Sequence, residues 1–166
     1  MQRGPEFVIS EDGLPMKTED IKTFILVSDG FDEPAVVECL CRVREQGASA
    51  TLVGLYSGLL SGYHGLTIRP DFSLNQLEQQ YQTLGTQTAV ILSGRTNLTA
   101  LLTDPRVHRL VEQTLSNEGF VAVMSTNSDW PLLPADLAPT AQMNLLLQDH
   151  MNTDDFIQEI LKRVSI

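Results

Sequence analysis

The chain has 166 residues, 42% of them apolar, with 21 acidic against 11 basic side chains and a formal net charge of −10. That length suits one domain with a substantial core. The charge argues against nucleic acid or an anionic membrane as partner, because such affinity needs clustered Lys and Arg, and the longest cationic cluster is Lys162-Arg163. No apolar run reaches the ~18 residues that span a bilayer, and none near the N-terminus has the signal-peptide pattern. Two cysteines, Cys39 and Cys41, are too few for a disulfide scaffold, so a reduced, cytoplasmic setting is expected.

Residues 1–20 are expected to form a flexible leader, partly tag-derived at Gly4-Pro5-Glu6-Phe7, ahead of a single domain over residues 21–166. Thr23-Phe24-Ile25-Leu26-Val27-Ser28 is a continuous apolar run rich in β-formers, as a buried parallel strand requires. Asp29-Gly30-Phe31 makes the turn. Asp32 stands at an N-cap, with Glu33 and Pro34 in the first helical turn. Val36, Val37, Leu40 and Val43 form the apolar stripe of this helix, and Gly47 ends it.

Ala50 to Tyr56 is the second strand. Leu59-Leu60 and Leu66-Thr67-Ile68 read as arms of a hairpin, and Pro70-Asp71 breaks it. Ser73 and Gln76 make a capping-box pair before a polar helix ending near Leu84-Gly85. Thr88 to Leu92 is the next buried strand. Asp104-Pro105 opens a helix with Val107, Leu110, Val111, Thr114 and Leu115 on one face. Phe120 to Met124 is another buried strand, residues 125–141 read as loop, and Met143-Leu146-Leu147 reads as a last strand. Thr153 is expected to cap a final helix through Phe156, Ile157, Ile160, Leu161 and Val164. Strands separated by helices build βαβ units, so the expected fold is a doubly wound, mostly parallel α/β sandwich with helices on both faces.

The first strand-to-helix turn carries one Gly and three acids, which would repel a phosphate at the helix N-terminus. Asp32 and Glu33 read there as helix-start residues, and no nucleotide cofactor is expected. Cys39 and Cys41 lie about 200° apart on the helix, so they cannot bond to each other. Each is expected to flank the apolar stripe, with packing or interface burial weighed against a reactive, redox-sensing thiol. They and the scattered His64, His108 and His150 show no metal-ligand spacing, so no metal is expected. Ser125 follows a buried strand, where α/β proteins place nucleophiles and ligands. The residues after it, Thr126-Asn127-Ser128-Asp129-Trp130-Pro131, show no helical pattern for a nucleophile elbow, and no base is evident, so a turn serine is the plainer reading.

The order of these features resembles the ThiJ/PfpI family, within the class I glutamine amidotransferase-like superfamily. The resemblance runs from Phe24-Ile25-Leu26-Val27-Ser28-Asp29-Gly30-Phe31-Asp32-Glu33-Pro34 through Gly62-Tyr63-His64-Gly65-Leu66-Thr67-Ile68-Arg69-Pro70-Asp71-Phe72-Ser73-Leu74. It continues in Ala89-Val90-Ile91-Leu92-Ser93-Gly94 and Val121-Ala122-Val123-Met124. It covers roughly residues 21–128 and the final helix. It implies a flavodoxin-like sheet, a homodimer with the first helix near the contact, and hydrolase or aldehyde-acting lyase or deglycase chemistry.

The departures bear on that chemistry. The resemblance places Ser125 where the family carries its nucleophilic Cys, Ala35 at the helix acid, and Arg95 at the second oxyanion glycine. No His follows Ser125 closely, and about two dozen residues to His150 are few for an elbow helix and later strands. The expectation is a degenerate, non-catalytic member that binds a protein or small molecule. Asp32, Gly94, Arg95, Ser125 and Thr126 are its candidate binding residues. Arg95 is weighed as a carboxylate or phosphate receptor against a surface salt bridge. The alternatives are an enzyme using Ser125 or a displaced thiol, and a redox sensor using Cys39 or Cys41.

Overall fold

The computed structural model describes residues 7–9, 15–17, 21–80, 88–95, 98–125, 144–148 and 151–164. Strands β1 (Phe7–Ile9) and β2 (Pro15–Lys17) pair with each other in a separate antiparallel ladder. The main sheet takes β3 (Lys22–Val27), β4 (Ser49–Gly54), β7 (Phe72–Ser73), β8 (Thr88–Ser93), β9 (Phe120–Met124) and β10 (Leu145–Leu147). Between β4 and β7 stands an antiparallel hairpin of β5 (Leu60–Ser61) and β6 (Thr67–Ile68), as the sequence predicts.

The order across the main sheet is β10-β9-β8-β3-β4-β7, and every neighbouring pair is parallel. Side-chain alternation along β3 divides the core into two layers. Ile25 and Val27 face α1 (Glu33–Glu45) and α5 (Thr153–Val164). Phe24 and Leu26 face α2 (Leu74–Gln80), α3 (Leu98–Thr103) and α4 (Pro105–Ser116). Helices on both faces of a parallel sheet are the doubly wound arrangement expected from the buried apolar runs. No helix among the described residues is long and apolar enough to cross a membrane.

Local signals account for several boundaries. Asp32 caps α1 with its side chain on Ala35 N–H, and Asp104 caps α4 on Arg106 N–H. Ser73 and Gln76 make the reciprocal capping-box bonds before α2. Gly47 leaves α1 at φ +85°, in the left-handed region that glycine tolerates best. Asp71 is more than a breaker: its carboxylate accepts from Leu52 N–H at 2.9 Å, its own N–H donates to Leu52 O at 2.8 Å, and β7 is thereby set beside β4.

Four expectations need correction. The buried stripe of α1 is Ala35, Val36, Cys39 and Val43, while Val37 is exposed. Cys39 therefore lies within the stripe and does not flank it: its side chain is fully buried in the same core layer as Ala35, Val36 and Val43. Helix α3 was not expected, although Leu98, Leu101 and Leu102 repeat at helical spacing and are buried. The two-residue β7 was missed because it is too short to show alternation. Asn152, not Thr153, caps α5: its Oδ1 accepts from Asp155 N–H at 2.8 Å, while Thr153 Oγ1 accepts from Gln148 Nε2 at 3.2 Å. The expected helix end at Leu84-Gly85, most of the loop over residues 125–141, and Met143 lie outside the described residues.

Candidate functional site

The strand order reverses at β3, with β4 on one side and β8 on the other. The crevice outside the carboxyl ends of β3 and β8 is therefore the topological switch point, where open α/β sheets hold ligands. Asp32 follows β3 and Arg95 follows β8. Arg95 Nη1 stands 4.0 Å from Asp32 Oδ2, and its guanidinium carbon lies 3.9 Å from the centre of the Tyr63 ring. Asp32 Oδ1 is engaged in capping α1, at 3.2 Å from Ala35 N. One carboxylate thus serves the helix with one oxygen and faces the arginine with the other.

Gly94 N–H donates to Met124 O at 3.2 Å and ties the end of β8 to the end of β9. Ser125, next along, is buried. Asp32, Gly94, Arg95 and Ser125 are thus all set at one end of the sheet. Thr126, the fifth candidate, lies outside the described residues, as does His150. Ala35 is buried in the first turn of α1 and offers a methyl group where the resemblance implies an acid.

The sequence reading missed Glu33. Far from being a mere helix-start residue, its buried carboxylate accepts from His64 N–H at 2.7 Å and Leu66 N–H at 3.1 Å, and meets His64 Nδ1 at 2.8 Å. Burial pushes this carboxyl upward, but the bonds from the His64 ring and the backbone N–H groups outweigh it, and the pKa falls to about 2. Further bonds hold the hairpin on the same turn: Ser61 N–H donates to Asp29 Oδ1 at 2.9 Å, Gly30 N–H to Ser61 O at 2.8 Å, and Tyr63 N–H to Phe31 O at 2.8 Å. The hairpin in turn delivers the Tyr63 ring to Arg95. The available signal was the pair Glu33 and Gly62, an acid beside a Pro and one of the glycines around the hairpin, which only the fold joins.

The two thiols separate cleanly. Cys39 is fully buried, and burial pushes its pKa up to about 12, with the Arg42 charge opposing weakly. It holds no appreciable thiolate near neutral pH. Cys41 is exposed on the same helix. Among the described residues no group of three or more His, Cys, Asp or Glu is placed to hold a metal ion.

No protein-family model and no curated protein matches the sequence. Solved structures do match. DJ-1beta of Drosophila melanogaster superimposes with a TM-score of 0.66 at 16% identity, over 89% of this chain and 91% of that one. A mutant of a DJ-1 superfamily protein from Salmonella typhimurium gives 0.65 at 16% identity, over 86% and 89%. A ThiJ/PfpI domain protein from Brachyspira murdochii gives 0.62 at 12% identity, over 88% and 97%. The chain is similar to all three along nearly its whole length, and it has the α/β fold of DJ-1/ThiJ/PfpI structures.

Proposed function

We propose that the protein is a non-catalytic DJ-1/ThiJ/PfpI-like domain that binds a small molecule or a protein partner at the carboxyl ends of β3, β8 and β9. The observation that carries this reading is the pairing of Arg95 with Asp32 and Tyr63 at the switch point. A bulky cation occupies the turn where acyl-transfer chemistry of this family's kind needs an unencumbered backbone donor. Ser125 as the strand-end residue and Ala35 as the helix residue point the same way. They offer neither a thiol nor a carboxylate, and Cys39 is too deeply buried to substitute. On this reading the protein is cytoplasmic and homodimeric, with α1 near the two-fold contact. Sedimentation showing a strict monomer at tens of micromolar would count against the dimer.

The test of the non-catalytic reading is a panel of esters, peptides and methylglyoxal, assayed with the wild type and with Ser125→Ala. The expected result is no turnover by either. Turnover by the wild type that disappears in Ser125→Ala would replace this reading with a serine-based hydrolase or aldehyde-acting enzyme. A redox-sensing reading is favoured by one observation, the exposure of Cys41, and rests on that thiol alone.

A further inference from the structure

Residues 46–68 contain no Asp, Glu, Lys or Arg, in a chain that has 21 acidic and 11 basic side chains. This uncharged stretch includes β4, which pairs with β3 along its whole length. On the other side of β4, β7 pairs only with Val53 and Gly54. Among the described residues no strand pairs with Ser49, Ala50, Thr51 or Leu52 on that side. An open edge of uncharged, β-forming sequence is a template on which another chain can add a strand. Such segments are kept apart by charged residues placed at their flanks.

Two charged residues from outside the stretch cover this edge. Arg44, on its amino-terminal flank, donates to Ala50 O from Nε at 3.1 Å and from Nη2 at 2.8 Å. Asp71, on its carboxyl-terminal flank, accepts from Leu52 N–H at 2.9 Å and donates its own N–H to Leu52 O at 2.8 Å. The two side chains face each other, with Arg44 Nη2 3.6 Å from Asp71 Oδ2. Backbone groups that an added strand would have to bond are thus already taken, and a charge of each sign stands where that strand would lie. Both side chains are half exposed, so their pairing by itself adds little stability. We propose that Arg44 and Asp71 seal the outer edge of β4 against strand addition by a second copy of the chain. The seal lies on the amino-terminal half of β4, and it does not depend on the reading of the crevice at the carboxyl ends of the strands.

The test compares Arg44→Ala and Asp71→Ala with Asp104→Ala, which loses a helix cap at the start of α4 and leaves β4 untouched. Each variant is incubated folded, well below its own unfolding midpoint. Assembly is followed by thioflavin T fluorescence and by sedimentation of species larger than those of the wild type. Arg44→Ala and Asp71→Ala should each assemble about tenfold or more faster than Asp104→Ala, compared at equal distance from their midpoints. Ser49→Lys puts a charge back at an exposed position of the same edge, and added to either alanine variant it should return assembly to near the wild-type rate. The two alanine variants remove different halves of the seal, so a folding failure in one leaves the other to decide. Assembly no faster than that of Asp104→Ala, or an acceleration that Ser49→Lys does not reverse, overturns the seal.

Discussion

The carboxylate of Glu33 lies in the space where residue 62 would carry a β-carbon. Gly62 leaves that space open: any Cβ there would meet the Glu33 carboxyl group closer than 3.0 Å, a separation that real Cβ atoms essentially never show. The carboxylate cannot simply move aside, because two backbone N–H groups and the His64 ring hold it. Gly62→Ala should therefore destabilise the protein by about 1–3 kcal/mol, the range for forcing an extra carbon into a packed site. Urea unfolding measures it. In a Glu33→Ala background the same substitution should cost much less, and an equal cost in both backgrounds would disprove the steric link.

The same carboxylate sets part of the acid response. Its folded pKa is about 2 against an ordinary 4.5, so the folded state takes up this proton less readily than the unfolded state. The stability it contributes is present in full above pH 4.5 and is lost as pH falls from 4.5 toward 2. Glu33→Gln should flatten stability against pH in that window. Some slope should persist, since Asp104 and Glu159 are also held below the usual carboxylate range by Arg106 and Lys162. Unfolding midpoints of wild type and variant across the window check this. Parallel curves would show that Glu33 plays no part.

At the start of α4, Asp104 accepts from Arg106 N–H at 2.8 Å and pairs with the same residue's guanidinium at 2.9 Å and 3.1 Å. Asp104→Ala should cost about 1 kcal/mol, the usual loss for an N-cap. Asp104→Asn keeps the capping oxygen and should recover most of it. If the two variants are equally destabilised, the charge pairing outweighs the cap. Denaturant midpoints at low and high salt would separate the terms.

For the thiols, the folded protein in dilute solution should react with a disulfide reagent at one site per chain, Cys41. Cys39 should respond only after unfolding, because it is buried with its pKa near 12. Cys41→Ser should abolish the fast reaction. Two equally fast thiols in the native protein would mean that α1 does not pack as described.

Much of the architecture was legible in the sequence because its causes are local. The apolar runs at Thr23 to Ser28, Thr88 to Leu92 and Phe120 to Met124 mark strands buried on both faces, and they form the centre of the sheet. Asp32, Asp104 and the Ser73–Gln76 pair announce helix starts through bonds spanning two or three residues. Helix α3 and the two-residue β7 escaped because each is short and takes its stability from neighbours. The exchange of Cys39 for Val37 in the buried stripe shows the limit of hydrophobicity as a guide, since position on the helix face, and not side-chain hydropathy alone, decides which residue meets the core.

The candidate site divides along the same line. Ser125 could be named in advance from the end of its strand and Asp32 from its cap position, while Gly94 and Arg95 are named through the family resemblance. The partnerships of the site could not be named in advance. Arg95 meets Tyr63 across 32 positions and Glu33 meets His64 across 31, both through a hairpin whose placement depends on backbone bonds to Gly30 and Phe31. The sequence by itself determined the doubly wound, parallel α/β sheet, because periodicity and caps act within a few residues. Only the tertiary structure decided that Glu33 is a hairpin anchor, that Cys39 is core, and that Arg95 lies between an acid and an aromatic ring. Those roles depend on packing between segments far apart in the chain, which no local pattern encodes.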